Sequence, residues 1–291
     1  MAVFHASFFA RTLGRTVPLT VILPTDKMNF GDTPRREEGK PFKTLYLLHG
    51  VFGSEIDWLY GTRIQRYAEE RDLAVVMPAG ENGFYLDQPW STNNYGEFIG
   101  RELVDFTRRS FPLSHRREDT FIGGLSMGGF GAMRNGLKYN DVFGAIVSLS
   151  GALILDEEFL RPVEDPRIPI ERREYRQHCF GPDLAAAIES DRNPLFLAKA
   201  MAEAGTEFPL IYMACGERDP LLEKNRRFYS ELLKLGVEDL QFEIGPGAHE
   251  WDFWDRYILR ALDWLPLGVS HSPPSAHSQL LTSDKHHVSL Q

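Results

Sequence analysis

The chain has few cysteines, no long apolar run and no excess of basic residues. Each of these absences argues against a class of protein. Only two cysteines occur among 291 residues, so we expect neither a disulfide framework nor a cysteine-rich metal site. No stretch reaches the roughly 18 consecutive apolar residues of a membrane span, so no membrane partner is expected. The formal net charge is −9 with dispersed Lys and Arg, which disfavours nucleic acids and, more mildly, anionic substrates.

The ends of the chain predict a location and a domain boundary. The N-terminal residues lack a basic leader followed by a long apolar core, so we expect a cytoplasmic location. Residues 268–291 are rich in Ser, His and Pro and hold four of the nine histidines, which favours a disordered tail over a metal site there. Residues 1–267 are then expected to form one domain, for which a hydrophobic content of 43% supplies a large core.

Short apolar runs alternate with amphipathic segments along most of the chain. The runs predict strands at residues 3–9, 17–23, 44–48, 73–77, 119–122, 145–149, 209–214 and 240–244. Apolar residues at helical spacing predict helices at residues 63–71, 97–109, 130–137, 221–235 and 251–265. Continuous apolar strands are typical of strands buried on both faces, so the predicted fold class is α/β. We expect a mostly parallel sheet with helices on both faces and an antiparallel pair at its start.

Two stretches interrupt this alternation. Residues 26–40 are polar and charged and are expected to form an exposed loop. Between residues 150 and 208 no strand is predicted, and the segment is charged and rich in proline. We expect residues 152–206 to be a helical cap insertion over the carboxyl ends of the strands, where it would shape a substrate pocket. A helical excursion that only covers the sheet edge is the alternative.

A serine flanked by glycines lies where a predicted strand meets a predicted helix. It stands in the sequence Gly123-Gly124-Leu125-Ser126-Met127-Gly128-Gly129. A sharp strand-to-helix turn brings the two elements so close that the positions two before and two after the serine tolerate little beyond glycine. Such a turn exposes the serine hydroxyl, and the helix N-terminus directs backbone N–H groups at developing negative charge. The pattern predicts that Ser126 is a nucleophile.

A nucleophilic serine needs a base and an acid, and in this fold class the chain order is serine, acid, histidine. His249 directly follows the last predicted strand and is our candidate for the base. Weaker candidates are His5, His115 and His178. Asp219 follows the preceding strand and is our candidate for the acid, with a role as a helix N-cap as the alternative. Glu217 is the rival acid.

An oxyanion hole needs two backbone donors, one after the nucleophile and one from the loop after the third strand. Met127 N–H supplies the first. Val51 N–H is our candidate for the second, because glycines at positions 50 and 53 let the backbone approach a substrate closely. A simple strand-ending turn is the alternative. Candidates for lining the pocket, with packing as their alternative role, are Trp58, Trp90 and Tyr95.

Several blocks of sequence carry a family resemblance. They are Leu45-Tyr46-Leu47-Leu48-His49-Gly50, Val76-Met77-Pro78, Asn82-Gly83-Phe84-Tyr85, Gly124-Leu125-Ser126-Met127-Gly128-Gly129-Phe130-Gly131, Ser148-Leu149-Ser150-Gly151-Ala152, Cys215-Gly216-Glu217-Arg218-Asp219 and Gly247-Ala248-His249-Glu250-Trp251. Over residues 1–267 the chain resembles the esterase D-like branch of the α/β-hydrolases, and most closely the bacterial tributyrin esterases.

The resemblance implies an α/β-hydrolase fold and hydrolysis of short-chain acyl esters, such as acetyl esters, butyryl esters and tributyrin, without a cofactor or a metal. It implies that Ser126 is the nucleophile, His249 the base and Asp219 its partner. It also implies that the N–H groups of Val51 and Met127 bind the oxyanion.

Other activities remain open on the same residues. S-formylglutathione hydrolases and feruloyl esterases are similar relatives, and an acyltransferase would differ only in the group that takes the acyl chain. A catalytically silent hydrolase fold used as a binding protein is the non-enzyme alternative. The expected partner is a small-molecule ester, and the sequence is compatible with a homo-oligomer.

Overall fold

The computed structural model describes residues 1–26 and 39–268, which fold around one sheet of eight strands. The strands are β1 (Ala2–Ala10), β2 (Arg15–Leu23), β3 (Lys43–Leu48), β4 (Leu73–Pro78), β5 (Thr120–Leu125), β6 (Ala145–Leu149), β7 (Leu210–Gly216) and β8 (Leu240–Gly245). Their order in the sheet is β1-β2-β4-β3-β5-β6-β7-β8. Strand β2 pairs antiparallel with β1 and β4, and the other pairs are parallel. The predicted mostly parallel sheet, with its antiparallel opening pair, is confirmed.

Helices cover both faces of this sheet. They are α1 (Asp57–Gly61), α2 (Ile64–Glu70), α3 (Tyr95–Glu97), α4 (Leu103–Ser110), α5 (Met127–Lys138), α6 (Arg173–Phe180), α7 (Leu184–Ile188), α8 (Pro194–Glu203), α9 (Leu222–Lys234) and α10 (Trp251–Trp264), with a π-helical turn (Phe98–Glu102) joining α3 to α4. Alternate side chains of a strand point to opposite faces. Leu45 and Leu47 of β3 therefore pack in one core layer with α2 and α10, while Tyr46 and Leu48 pack in the other with α4, α5 and α9.

The segment that joins β6 to β7 is described throughout and contains no strand. Helices α6, α7 and α8 and two short 3-10 turns make up this insertion. The ring of Phe180 packs on those of Phe84 and Phe130, with centroids 4.8 and 5.9 Å away. The Asp191 carboxylate accepts a hydrogen bond from the buried guanidinium of Arg134 at 3.0 Å. The insertion thus lies against α5 and the loop after β4, beside the carboxyl ends of the central strands.

Two predicted segments fall mainly outside the described residues. They are the exposed loop at residues 26–40 and the tail at residues 268–291. Within residues 1–26 and 39–268, no helix has both the length and the apolar character that crossing a bilayer demands.

The turn between β5 and α5 is as tight as its glycines predict. Ser126 at the turn has φ 53° and ψ −117°, a conformation that residues with side chains rarely adopt. A Cβ added at Gly128 would overlap the carbonyl oxygen of Leu48 and lie 2.6 Å from that of His49. A Cβ added at Gly124 would in turn overlap the backbone of Gly128. Because both side chains are missing, α5 begins directly behind the end of β3.

We expect Gly128→Ala to lower the free energy of unfolding by about 3 kcal/mol or more, because the added Cβ meets backbone atoms that no rotamer change can move. Urea denaturation of the variant and the wild type measures this loss. Gly14→Ala is the control, since Gly14 has φ 62° but no atom within 4 Å of the added Cβ. Its loss should stay near the ~1–2 kcal/mol of the backbone conformation alone. Equal losses in the two variants would contradict the steric explanation.

Candidate active site

Three side chains from three loops meet at the carboxyl edge of the sheet. His249 Nε2 lies 3.0 Å from Ser126 Oγ, and His249 Nδ1 lies 2.9 Å from Asp219 Oδ2. Ser126 is 8% exposed and Asp219 5%, whereas the imidazole is partly open to solvent. In this arrangement the His249 imidazole can accept the proton of the Ser126 hydroxyl, while the Asp219 carboxylate keeps the other ring proton on Nδ1. The structure thus brings together the three residues that the sequence analysis proposed as a triad.

The loops after β7 and β8 are tied to each other, which sets the separation of the acid and the base. Glu217 N–H donates to Gly245 O at 2.9 Å, and Arg218 N–H donates to Gly247 O at 3.0 Å. Gly247 has φ 145°, a backbone conformation that glycine adopts readily and that is strained for other residues. These backbone bonds extend the β7–β8 pairing into the loops that carry the two side chains.

Asp219 faces His249 and is not the N-cap of α9, a position that Leu221 occupies. Its Oδ1 accepts a hydrogen bond from Leu221 N–H at 2.8 Å, just before α9, while its Oδ2 faces His249. Burial alone would raise the pKa of this carboxyl. Hydrogen bonds from His249, the Leu221 N–H and Ser150 outweigh burial and lower the pKa, so Asp219 is ionised at neutral pH. The side chain of the rival acid, Glu217, is exposed, and among the described residues it makes no hydrogen bond to Ser126, Asp219 or His249.

Two residues that the sequence analysis did not single out complete this network. Trp254 of α10 donates its Nε1–H to Ser150 Oγ at 3.1 Å, and Ser150 is fully buried. The Ser150 hydroxyl in turn helps to lower the pKa of Asp219. The Trp254 ring also stands edge-on to the imidazole of His249, with centroids 5.0 Å apart. The sequence could have indicated Ser150 by its position just beyond the carboxyl end of a predicted strand. Asp219 and His249 also lie shortly after predicted strands.

Both predicted oxyanion donors are free to donate. No residue in the described ranges accepts a hydrogen bond from the backbone N–H of Val51 or Met127. Met127 begins α5, where the first N–H groups have no partner inside the helix. Val51 lies in residues 49–53, which we call the oxyanion loop. There Phe52 has φ 66°, and its N–H donates to Asn82 Oδ1 at 2.7 Å.

His49 anchors the oxyanion loop to the loop after β4. Its Nε2 accepts a hydrogen bond from Gly80 N–H at 2.8 Å, so its proton is on Nδ1, which donates to Gly50 O at 2.7 Å. The carbonyl oxygen of His49 accepts a hydrogen bond from the Tyr85 hydroxyl at 3.0 Å. Burial lowers the pKa of His49, so the ring is neutral at neutral pH and serves as a fixed structural link.

The three aromatic pocket candidates differ in position. Trp58 is only 1% exposed and donates its Nε1–H to Leu48 O at 2.9 Å, so it packs beneath the site instead of lining a pocket. The Trp58 ring can be buried because its N–H finds a partner there, the carbonyl oxygen of Leu48 at the end of β3. Trp90 is 42% exposed and lies 5.2 Å from the guanidinium of Arg192 in the insertion. Tyr95 is buried and lines a cavity beside the oxyanion loop.

The described residues hold no group of three or more His, Cys, Asp or Glu side chains arranged for a metal ion. The histidines of the predicted tail lie outside those residues. Cys179 and Cys215 are buried free thiols, and burial raises the pKa of each to about 12. Neither thiol is therefore a nucleophile at neutral pH.

Comparisons with known proteins agree with this geometry. The family model described as "Putative esterase" matches residues 10–265. The chain belongs to this esterase family. An acetyl esterase of Caldicellulosiruptor saccharolyticus is 41% identical over 265 residues, which cover 91% of this chain and 98% of that relative.

Solved structures extend the match from the esterase family to the fold. FphF, a fluorophosphonate-binding serine hydrolase of Staphylococcus aureus, is similar with a TM-score of 0.77 and 31% identity, over 91% of this chain and 98% of its own. The S-formylglutathione hydrolase FrmB of the same organism has a TM-score of 0.75 and 32% identity over the same shares. The esterase described here is thus an α/β-hydrolase, and it is a carboxylic ester hydrolase.

The neutral state of buried His49 predicts a pH dependence of the esterase's stability. Its pKa is lowered in the folded chain and ordinary, at 6.5, in the unfolded chain. As the pH falls below that value, the unfolded state binds a proton that the folded state does not. The free energy of unfolding therefore falls, by up to ~1.4 kcal/mol per pH unit, until the pH reaches the folded pKa. Urea denaturation at about pH 7 and about pH 5 measures this loss.

His49→Gln keeps an acceptor for Gly80 N–H and removes the titrating group. Its loss of stability over the same pH interval should therefore be smaller than that of the wild type. His115→Gln, at an exposed histidine, should keep the wild-type loss. An identical loss in wild type and His49→Gln would show that this ring is not held neutral.

The network behind Asp219 predicts that Ser150→Ala lowers kcat for p-nitrophenyl acetate about tenfold and leaves KM nearly unchanged. The reason is the loss of a hydroxyl that helps to keep the Asp219 carboxylate ionised, and this carboxylate orients the base but does not touch the substrate. Steady-state kinetics measures both constants. Ser148→Ala is the matched control, because Ser148 is equally buried but donates to Gly129 O at 3.1 Å. If both variants lost activity equally, the effect would belong to packing and not to Asp219.

Proposed function

We propose that this esterase hydrolyses short-chain acyl esters, such as acetyl, butyryl and tributyrin-like esters, through an acyl-enzyme on Ser126. One observation carries the proposal: a single imidazole bridges the serine hydroxyl and an ionised carboxylate at 3.0 and 2.9 Å. This is the arrangement needed to raise the nucleophilicity of a hydroxyl at neutral pH. The acetyl esterase relative supports a small acyl group.

The proposed reaction has two halves. His249 Nε2 takes the Ser126 proton as Oγ attacks the ester carbonyl, and the alcohol then leaves with that proton. Water enters, gives a proton to His249 and attacks the acyl-enzyme, which releases the acid and restores Ser126. Asp219 accepts a hydrogen bond from His249 Nδ1–H throughout and stabilises the imidazolium. Water is the only co-reactant that the two halves of the reaction need.

In each half, negative charge develops on the carbonyl oxygen of the substrate. The N–H groups of Val51 and Met127, which have no acceptor among the described residues, are the proposed donors to this oxygen. A donor of this kind typically lowers the barrier by ~3 kcal/mol, or about a hundredfold in rate. Because the His49 and Asn82 bonds fix the oxyanion loop before substrate arrives, little reorganisation is needed during the reaction.

A thioester is the second candidate substrate. The observation that favours it is the likeness to the S-formylglutathione hydrolase FrmB, at 32% identity over 91% of this chain. The same serine and the same oxyanion donors would serve, since only the leaving group differs. S-formylglutathione therefore belongs in the substrate series. A cytoplasmic location, a homo-oligomeric state and the role of residues 152–206 as a cap stay predictions.

The proposed acyl-enzyme predicts a burst of p-nitrophenol equal to the enzyme concentration when p-nitrophenyl acetate is mixed in excess, provided that deacylation is the slower half. Stopped-flow absorbance measures the burst, and mass spectrometry of quenched enzyme measures an added acetyl group. We expect kcat/KM to be higher for the acetate or butyrate than for the octanoate.

Ser126→Ala should show neither the burst nor the acetyl adduct and should not react with a fluorophosphonate probe. His249→Ala should retain its fold and lose at least about a thousandfold in kcat. Labelling of Ser126→Ala at the wild-type rate would refute the assignment of the nucleophile. A clear optimum with the octanoate would refute the short-chain proposal.

A further inference from the structure

The loop after β4 carries backbone strain beside the oxyanion loop. Within it Glu81, Phe84 and Tyr85 have φ values of 48°, 56° and 57°, which cost free energy for residues with side chains. Such strain persists only where surrounding contacts hold it. The Tyr85 hydroxyl donates to His49 O at 3.0 Å, and the ring centroid of Phe84 lies 4.8 Å from that of Phe180. The loop after β4 is therefore tied to the oxyanion loop on one side and to the insertion on the other.

Asn82 lies in the middle of this strained segment, and its side chain binds the oxyanion loop. Its Oδ1 accepts a hydrogen bond from Phe52 N–H at 2.7 Å. Phe52 has φ 66°, a strained conformation that this bond helps to hold. Because Phe52 N–H belongs to the peptide that follows the Val51 Cα, the bond fixes the orientation of one of the two peptides that flank that atom.

The peptide before the Val51 Cα is fixed as well. Its carbonyl oxygen, Gly50 O, accepts hydrogen bonds from His49 Nδ1–H at 2.7 Å and from Gly53 N–H at 3.2 Å. In a trans peptide the C=O and N–H groups point in opposite directions, so these bonds turn Val51 N–H away from the His49 ring. The direction of the proposed oxyanion donor thus depends on hydrogen bonds to both flanking peptides.

The backbone of Asn82 is held from the insertion. Its carbonyl oxygen accepts hydrogen bonds from the Tyr175 hydroxyl at 2.6 Å and from the Cys179 thiol at 3.3 Å. These two donors are four residues apart in α6, so they project from the same face of the helix. Burial raises the pKa of each, so both stay protonated at neutral pH. Two hydrogen bonds in series therefore join α6 to the oxyanion loop, one from Tyr175 to Asn82 and one from Phe52 to Asn82.

We propose that Tyr175 and Asn82 are positioning residues for the oxyanion hole: Tyr175 holds Asn82, and Asn82 holds the peptide next to the donor Val51. The inference rests on the proposed function, because it concerns the oxyanion of the same serine reaction. Neither side chain needs to touch the substrate. The insertion then contributes to the chemical steps of both halves of the reaction and not only to the choice of substrate.

The first test replaces the Asn82 side chain. Asn82→Leu keeps its size and removes the acceptor for Phe52 N–H. We expect kcat for p-nitrophenyl acetate to fall about tenfold, at the upper end of the worth of one hydrogen bond. KM should stay within about twofold, because the oxyanion forms in both halves of the reaction and both slow together. A loss confined to acylation would instead raise KM, provided that deacylation is the slower half.

A second measurement reports on the oxyanion hole itself. The ketone 1,1,1-trifluoroacetone forms a tetrahedral adduct with a serine hydroxyl and places a negative oxygen in the oxyanion hole. In Asn82→Leu its inhibition constant should rise about as much as kcat falls. The matched control is Asn140→Leu, since Asn140 Nδ2 donates to Leu137 O at 3.0 Å beyond the far end of α5. This control should keep the wild-type kcat and inhibition constant.

A double-mutant cycle tests the path from the insertion. Tyr175→Phe removes one of the two donors to Asn82 O and should lower kcat about threefold. In the Asn82→Leu background the same substitution should change kcat little further, because the bond to Phe52 is already lost. Tyr67→Phe is the control, since the Tyr67 hydroxyl donates to Asp255 Oδ2 at 3.4 Å between α2 and α10. It should change kcat in neither background.

The outcomes separate this inference from the proposed function. If wild type neither hydrolyses p-nitrophenyl acetate nor reacts with a fluorophosphonate, the proposed function fails. If wild type is active and Asn82→Leu keeps its kcat and inhibition constant, the positioning role is wrong while the triad stands. Equal losses from Tyr175→Phe in the two backgrounds would show that the insertion does not act through Asn82.

Tyr175→Phe also decides the case in which urea denaturation shows that Asn82→Leu does not fold. A lower kcat with a higher inhibition constant in Tyr175→Phe would then support the proposal. Wild-type values of both would overturn it.

Discussion

The contact between the start of helix α5 and the end of strand β3 is the constraint on which the active site depends. It exists because Gly128 has no side chain to hold the carbonyl groups of Leu48 and His49 away. This close contact also brings the residues near the start of α5 next to those that follow β3. Ser126 and Met127 lie on the helix side, and Val51 lies three residues beyond Leu48. One backbone contact therefore sets the nucleophile and both proposed oxyanion donors, which is the rigid placement that electrostatic stabilisation of an oxyanion requires.

The base and the acid are positioned by a second backbone contact. Hydrogen bonds join the backbones of the loops after β7 and β8, and Gly216 leaves room for the contact, because a Cβ added there would lie 2.7 Å from Gly247 O. Asp219 then accepts hydrogen bonds from Leu221 N–H and His249, and the Ser150 hydroxyl, to which Trp254 donates, helps to lower the pKa of this carboxyl. A carboxylate with all these donors stays ionised although it is buried. Both the nucleophile and the acid thus depend on a close backbone contact at a glycine, and the acid depends in addition on the hydrogen bonds that its carboxylate accepts.

The sequence predicted the strands and proposed the three residues of the triad for one physical reason. Each of these features is local: a short apolar run, followed at its carboxyl end by a polar residue with glycine or proline nearby. The features that the sequence analysis missed are not local. Ser150 and Trp254 are 104 residues apart, and neither type of residue indicates that the other is its partner. The sequence likewise leaves Trp58 open between pocket lining and packing, because an aromatic side chain in a loop does not reveal which backbone carbonyl will accept its N–H.

The contacts of the insertion are also hard to predict from the sequence, since its charged residues suggest a solvated surface. One of them, Asp191, nevertheless binds the buried guanidinium of Arg134 in α5. Asn82 makes a second link. Its Oδ1 accepts from Phe52 N–H, and its carbonyl oxygen accepts from the Tyr175 hydroxyl at 2.6 Å.

The link through Asn82 has a consequence for how specificity and rate are related. One residue joins the oxyanion loop to helix α6, so a shift of α6 reaches the loop that carries Val51 through two hydrogen bonds. The alcohol leaves in the first half of the proposed reaction, whereas the oxyanion forms in both halves. A change in the insertion that alters only the binding of the alcohol should therefore affect acylation alone. A change that moves Asn82 should slow acylation and deacylation together, and this limits how freely the insertion can vary while the site still works.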